Sequence, residues 1–444
     1  MRETFRWIGY SLLAIIVTVA SVFAAYRIRG PSRAQREALA LMQKDYRPKA
    51  GTNAFPLLWY VEYDVADAEV VPRFAEELAA FRASLDADKV PIPYEPHASK
   101  LAETSGDPKR LCDLGGGGCV AKAMADPAVM RATLATYPVI RARDTAFKAA
   151  DYYWNEFPLD SRSVIAAVPL VAQRVWLSAY ALEYADGDHI AALADTCDNL
   201  DAWRRMHRGT NSLIGSMLAI ASTDGAMRLF ADMLAALPAG ESVPDSCAHA
   251  LRPIEAADVD RCAEMAGEFG YSASTLDYLA GNAKRDASWA DRVASWITFD
   301  PTQWRAWLAE QDARYCDEPP VSMLADTPHL PPTFRVTERL ECIAGVYGCM
   351  LAEIAAPVYV EYDARTLDFA ARLRLTAALL WLRETTRAKP LAQRFAERPD
   401  TLRSGTRNSG YDSASGMLFV DNIWAGRGPR FELPVASARA GGSR

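Results

Sequence analysis

Residues 164–208 read VIAAVPLVAQRVWLSAYALEYADGDHIAALADTCDNLDAWRRMHR, and this stretch has the clearest periodicity of the chain. Apolar side chains recur at helical spacing in two successive stripes, which Gly187 and Asp188 separate. Because glycine ends helices and aspartate caps the helix that follows, the stretch predicts two antiparallel helices joined by a short turn. The first stripe contains Ile165, Val168, Ala172, Val175, Trp176, Ala179 and Leu182, and the second contains Ile190, Leu193, Cys197, Leu200 and Trp203.

The same reasoning predicts helices over residues 66–86, 211–237 and 334–387. The last of these is apolar on most sides, which is typical of a helix at the centre of its subdomain. Two strand-like runs at 417–421 and 430–434 flank a glycine turn and predict a β-hairpin. The predicted fold class is mostly α: an N-terminal transmembrane helix, then a helical-hairpin bundle with a small C-terminal β-hairpin.

Breaks in these patterns predict five segments. Pro319, Pro320 and residues 328–332 mark a linker within the folded body. The segments are a transmembrane signal anchor (1–29), a juxtamembrane helix and linker (30–52), a helical body (53–330), C-terminal helices with the β-hairpin (331–435) and a disordered tail (436–444).

The run from Trp7 to Ala25 contains no charged residue. At ~1.5 Å per residue, a helix of this length spans most of a ~30 Å hydrocarbon layer. A cleaved signal peptide, cut after Ala24, is the alternative to an uncleaved anchor. The run exceeds the ~7–15 apolar residues of a typical signal peptide, and this favours the anchor.

The arginines on the two sides of this segment disagree about its orientation. Arg27, Arg29, Arg33 and Arg36 follow it, and the positive-inside rule alone would keep that flank in the cytoplasm. The short basic tail before the segment and the cysteine pattern favour the opposite orientation. We therefore predict a single-pass protein of the inner membrane, bound to it through the N-terminal helix, with a periplasmic body.

Eight cysteines fit an oxidising compartment. Cys112 and Cys119 enclose four glycines, which let the chain fold back, so we predict a disulfide loop. A phosphate-binding glycine loop is the alternative, but the Lys-Ser/Thr pair that such a loop needs is missing. One further bridge is expected among Cys197, Cys247 and Cys262.

Cys342 and Cys349 have the same spacing as Cys112 and Cys119 but lie within a predicted helix. In a regular helix, Cys342 and Cys349 would lie ~10.5 Å apart, beyond the ~7 Å limit for a disulfide, unless the glycines between them break the helix. A zinc site would need closely spaced cysteine pairs or several histidines. The chain has no C-x2-C pair and five histidines, so no metal or other cofactor is predicted.

The net charge of −7 argues against nucleic acid as a partner. The one dense basic cluster is Arg204, Arg205, His207 and Arg208, at the end of a predicted helix. Its cations would stabilise the negative end of the helix dipole. The alternative is a binding surface for anionic lipid headgroups or an acidic partner.

Catalytic signatures such as G-x-S-x-G, H-E-x-x-H and Walker A are absent from the sequence. Glu264 and Glu268 lie one helical turn apart and could act as paired carboxylates, or form a solvated acidic face. Weaker candidates are a nucleophile–lysine pair (Thr145, Lys148) and a cation site (Asp186, Asp188, His189), which a helix turn and a helix cap explain equally well.

The stretches 198–217 and 371–383 resemble segments of an uncharacterised family of membrane-anchored helical envelope proteins of Xanthomonas-type bacteria. The resemblance extends loosely over 53–435 and implies no site residue, because its motifs are packing motifs. The sequence therefore predicts an envelope protein whose helical body binds a protein partner or the membrane surface. The alternative is a periplasmic hydrolase of an envelope substrate, with its site in the 88–120 loop or the 255–270 acidic segment.

Overall fold

The described residues of the computed structural model are 2–86, 93–102, 108–160, 162, 170–238, 240–285, 288–290, 300–316, 342, 346–385, 389–424, 426 and 428–435. The α-helices are α1 (Arg2–Arg29), α2 (Arg33–Met42), α3 (Phe55–Trp59), α4 (Val70–Asp86), α5 (Cys119–Ala125), α6 (Pro127–Leu134), α7 (Pro138–Ala142), α8 (Asp144–Lys148), α9 (Val171–Ala185), α10 (His189–Arg208), α11 (Leu213–Ala236), α12 (Asp245–Ala250), α13 (Cys262–Arg285), α14 (Pro301–Asp312), α15 (Val346–Glu384) and α16 (Leu391–Ala396). The strands are β1 (Ser409–Asp412), β2 (Met417–Asp421) and β3 (Arg430–Pro434). The mostly helical fold class is confirmed.

Helices α9, α10 and α11 form the predicted hairpins, with α10 packed against both neighbours. Each helix contributes a large buried side chain: Trp176 from α9, Leu193 from α10 and Phe230 from α11. Gly187 ends α9 with a φ of 104°, which glycine adopts without strain. Asp188 occupies the N-cap position of α10, although its side chain makes no capping hydrogen bond. The start of the first predicted stripe, at 163–169, lies outside the described residues.

Helix α15 lies in the main hydrophobic core, as predicted from the apolar residues on most of its sides. Phe369, Leu373 and Leu379 are buried there. This core runs from Ala54 to Leu433 and so draws on both of the predicted folded segments. The predicted proline linker, the relation of Cys342 to Cys349 and the predicted disordered tail fall on residues or side chains outside the described ones.

A second hydrophobic cluster joins α2 to α13 and α14. Helix α2 begins with a capping box, in which Ser32 and Gln35 each bond the other's backbone N–H. The side-chain amide of Gln35 also forms hydrogen bonds with two residues of α14, Gln303 at 3.1 Å and Glu310 at 3.2 Å. The helix that follows the apolar segment is therefore an integral part of the folded body.

The C-terminal sheet has three antiparallel strands in the order β1-β2-β3, where a two-stranded hairpin was predicted. β2 and β3 are the predicted pair, in the register Leu418↔Leu433. The additional strand β1 pairs Tyr411 with Leu418. Its sequence, Ser-Gly-Tyr-Asp, has neither apolar alternation nor β-branched residues, and it therefore gives no strand signal of its own.

Three disulfides join described residues: Cys112–Cys119, Cys197–Cys247 and Cys262–Cys316, with Cα–Cα distances of 5.5, 4.9 and 4.4 Å. The one bridge expected among Cys197, Cys247 and Cys262 is confirmed as Cys197–Cys247, whereas the third bridge was not predicted. Cys262, at the start of α13, pairs with Cys316, which follows α14. This bridge lies within the second hydrophobic cluster. It is a long-range contact, which the spacing of the cysteines in the sequence does not predict.

Helix α13 passes very close to the turn before α11. A Cβ atom on Gly267 would lie 1.9 Å from the carbonyl oxygen of Asn211, a backbone atom that cannot move aside cheaply. We expect Gly267→Ala to lower the free energy of unfolding by about 1–3 kcal/mol, measured by urea unfolding of the detergent-solubilised protein. Gly270→Ala is the matched control, because its nearest neighbour is the tip of the Leu159 side chain. Equal losses in the two variants would contradict the close approach.

Candidate functional site

The basic cluster at the end of α10 points into the protein. The guanidinium groups of Arg204 and Arg208 each donate two hydrogen bonds to the carboxylate of Asp258, with N–O distances of 2.6 to 2.7 Å. The side chains of Arg204 and Asp258 are fully buried. Burial alone would raise the pKa of Asp258, but hydrogen bonds from the two arginines hold this pKa well below its ordinary value. We call Arg204, Arg208 and Asp258 the buried arginine clamp.

The remaining donors of the cluster are also used within the fold. Arg204 donates to the carbonyl oxygens of Ala250 and Arg252 at 3.0 and 2.9 Å. Arg205 forms an ion pair with Asp201. The charges of this cluster thus meet carboxylates and carbonyls of the same chain, and the alternative contact with lipid headgroups or an acidic partner stays a prediction.

His207 lies between the clamp and α11. Its Nε2 is 3.0 Å from the backbone oxygen of Asp258, and its Nδ1 is 2.9 Å from the hydroxyl of Ser216. With the ring proton on Nε2, the Ser216 hydroxyl donates to Nδ1, which is the contact between a nucleophile and a general base. Burial lowers the pKa of His207 to about 4, so this imidazole stays neutral.

A reaction at Ser216 would also require an opening for substrate. Ser216 and His207 are both buried. Neither residue lines the cavity beside the disulfide loop or the one near the C-terminus. In the described part of the chain, this pair therefore connects α10, α11 and the Asp258 turn as a structural contact.

The predicted carboxylate pair joins the same region. Glu264 is 1% exposed, so the solvated-face interpretation is wrong. Its Oε2 lies 3.6 Å from Nε of Arg261, which also faces Asp363 of α15 at 3.4 Å. Burial raises the pKa of Glu264 to about 8. Glu268 accepts a hydrogen bond from the backbone of Leu213, and burial raises its pKa as well.

Glu264 makes the stability of the fold depend on pH. Its pKa is 4.5 ordinarily and about 8 when folded, so the folded state binds the extra proton. Stability is fully present below the lower value and is lost as pH rises toward the upper one. At ~1.4 kcal/mol per pKa unit, this loss is on the order of 5 kcal/mol.

We therefore expect Glu264→Gln to match the wild type in urea unfolding at pH 5 and to exceed it at pH 8.5. Asp312, whose pKa burial also raises, retains part of the pH dependence in the variant. Glu37→Gln is the control, because Glu37 is 65% exposed, and it should follow the wild type at both pH values. A Glu264→Gln effect of equal size at pH 5 and pH 8.5 would contradict the assignment.

The Cys112–Cys119 loop borders a cavity of about 510 Å³. The cations at its wall are already engaged: Lys122 donates to the carbonyls of Lys109 and Leu111, and Arg174 donates to that of Cys112. At the start of α5, the carboxylate of Asp232 accepts from the N–H groups of Gly118 and Cys119 at 2.6 and 3.1 Å. A side chain thus occupies the position that a phosphate would take in a glycine loop.

The weaker candidates have ordinary partners. Lys148 pairs with Asp144 and Asp195. Asp186 pairs with Arg131, and His189 lies 3.1 Å from Glu241. Among the residues that the structure describes, no group of three or more histidine, cysteine, aspartate or glutamate side chains could hold a metal ion.

Sequence reasoning treated the 204–208 cluster and the 255–268 segment as separate candidates, whereas the structure joins them. It missed Asp258 as their common centre and Ser216 as the partner of His207. One signal was available for Asp258: Glu255 and Asp258 form a reciprocal capping box, which fixes the turn that carries this carboxylate.

Outside the body, α1 has the properties of a membrane segment. Of the described residues, Arg6–Arg29 form the one helix long and apolar enough to cross a bilayer, with a mean hydropathy of 2.2 over its best window. None of that window is buried.

Fold and site together define the class of protein: a mostly helical, disulfide-bonded body with an exposed apolar helix at its N-terminus. The disulfides and this helix indicate an extracytoplasmic location. None of the family models, curated proteins or solved structures with which the chain was compared matches it.

Proposed function

We propose that the protein is a single-pass protein of the inner membrane, whose periplasmic helical body binds a partner at the membrane surface. The observation that carries this proposal is the apolar helix Arg6–Arg29, whose most apolar window has no buried residue, continuous with a disulfide-bonded body. A bilayer covers such a surface, which would otherwise remain in contact with water.

The junction between anchor and body supports a role at the membrane surface. Only residues 30–32 separate α1 from α2. Arg27, in the last turn of α1, pairs with Asp300, the N-cap of α14, at 3.2 Å. The body therefore sits directly against the bilayer face, whereas a flexible tether would let it range more widely.

Binding is favoured over hydrolysis because the polar groups that could act in catalysis are bonded within the fold. The clamp and the Ser216–His207 pair are buried, and their donors meet acceptors of the same chain. Exposed apolar side chains, in contrast, offer contact area: Val71, Met124 and Ile214 are each more than half exposed. Helical bodies commonly bind partner helices or peptides through such surfaces.

Anchoring is tested by fractionating cells that express the full chain. We expect the protein to stay with carbonate-washed membranes at its full-length mass. A soluble product shortened by the N-terminal residues would overturn the anchor in favour of a cleaved signal peptide.

Binding is tested separately, by photo-crosslinking in intact cells from Ile214 and, as a control, from the exposed polar position Glu37. A discrete adduct from Ile214 alone is expected, and the absence of any adduct from Val71, Met124 and Ile214 would contradict the binding role.

A further inference from the structure

A cavity of about 380 Å³ opens between α16, the loop that follows it and β1. Its polar wall consists of Arg398, Arg403, Arg407, Ser404, Ser409 and Tyr411. Among the described lining residues there are three arginines and no aspartate or glutamate. This arginine pocket lies far along the chain from the candidates that the sequence suggested.

Arg398 is the most unusual member of the pocket. Its side chain is buried, and it donates to the carbonyls of Leu402 and Phe395 and to the hydroxyl of Ser409, at 3.2, 2.8 and 2.8 Å. These three acceptors are all neutral. Burial, and next the neighbouring charge of Arg403, lower the pKa of Arg398 to about 10. A buried cation beside a second cation is unfavourable until an anion joins them.

The other two arginines differ in how firmly they are held. Arg407 contacts the buried carboxylate of Asp368, which also accepts from the backbone of Ile423 and Trp424. Arg403 is 46% exposed and pairs at 3.1 Å with Asp400, which is 99% exposed. Such a surface pair is weak. Arg403 also donates to the backbone carbonyls of Arg398 and Ala396 at 3.2 and 2.9 Å, and a phosphate would take over donors from these contacts.

We propose that this pocket binds a phosphate group, either free or as the headgroup of a phosphomonoester lipid. Guanidinium groups present paired N–H donors whose geometry matches phosphate oxygens, and three of them suit a doubly charged anion. The serine hydroxyls supply further donors. The volume lies within the ~300–1,000 Å³ of small-molecule sites, which leaves room for more than the phosphate itself. This inference holds whether or not the body is anchored.

The test measures binding of inorganic phosphate and of short-chain phosphatidic acid to the detergent-solubilised full chain, at constant ionic strength. We expect saturable binding, seen as a rise in Tm with ligand concentration. Arg403→Gln should weaken the Kd for phosphate at least tenfold, because it removes one of the three guanidinium groups. The shift in Tm is measured against the ligand-free Tm of the same variant, since Arg403 also donates to the carbonyls of Arg398 and Ala396. Arg33→Gln, which removes an arginine that is 88% exposed and outside the pocket, should bind as the wild type does.

The two ligands distinguish the sources of the phosphate. Phosphatidic acid binding much more tightly than inorganic phosphate assigns the pocket to a lipid headgroup. Equal affinities assign it to a free phosphate or a soluble phosphomonoester. Failure of both ligands to bind, or an Arg403→Gln variant with the affinity of the wild type, would overturn the proposal.

Discussion

Asp258→Ala is expected to lower the free energy of unfolding by about 3–5 kcal/mol, because it leaves buried charges without a partner. Arg204 is fully buried and Arg208 is partly buried, and each donates two hydrogen bonds to this carboxylate. Alanine would also remove the acceptor for the backbone N–H of Glu255, which Asp258 bonds at 2.8 Å. The measurement is urea unfolding of the full chain in detergent.

Asp186→Ala is the matched control for this experiment. Asp186 also faces an arginine through both oxygens, Arg131 at 2.7 and 2.8 Å, but both side chains are exposed. A surface pair of this kind contributes about 0–1 kcal/mol. Equal losses of the free energy of unfolding in Asp258→Ala and Asp186→Ala would contradict the expectation that the buried clamp stabilises the fold more than a surface ion pair does.

Removing the Cys197–Cys247 disulfide is expected to cost about 4 kcal/mol, since in the chain-entropy model the cost grows with the length of the closed loop. This bridge joins residues 50 positions apart and ties α10 to α12. The Cys112–Cys119 bridge spans 7 positions, for which the same model gives about 2.5 kcal/mol.

The two bridges are compared as double serine variants, in urea unfolding under non-reducing conditions. Cys197→Ser with Cys247→Ser should unfold at a clearly lower urea concentration than Cys112→Ser with Cys119→Ser. The opposite order would show that loop length does not set the contribution of these bridges. Mass spectrometry after thiol alkylation of the unfolded wild type checks that the bridges are formed.

The helical part of the fold was predictable because its signals are local. The stripes of α9 and α10 and the break at Gly187 lie within one short stretch, and tertiary packing only had to agree with them. β1 was missed for the complementary reason. Its Ser-Gly-Tyr-Asp sequence becomes a strand only because β2 offers an unpaired edge, and that information lies in the partner strand.

The sites were less predictable, because charge in a sequence does not reveal burial. Glu264 reads as part of an acidic, solvated helix face, yet its side chain is buried, and α11 and α14 pack on its helix from positions far along the chain. The cluster at Arg204 likewise reads as a basic surface until Asp258 is known to face it. The arginine pocket combines a helix end, a loop and a strand edge, so no spacing in the sequence groups Arg398 with Ser409.

The central claim is that this disulfide-bonded body lies outside the cytoplasm, on the end of the helix Arg6–Arg29. It is tested most directly by fusing alkaline phosphatase after Arg444, because this enzyme becomes active only where its own disulfides form. We expect an active, membrane-bound fusion, in which Cys197 and Cys247 react with a maleimide reagent only after unfolding and reduction. A stable full-length fusion that is inactive, with these thiols reactive before reduction, would contradict it.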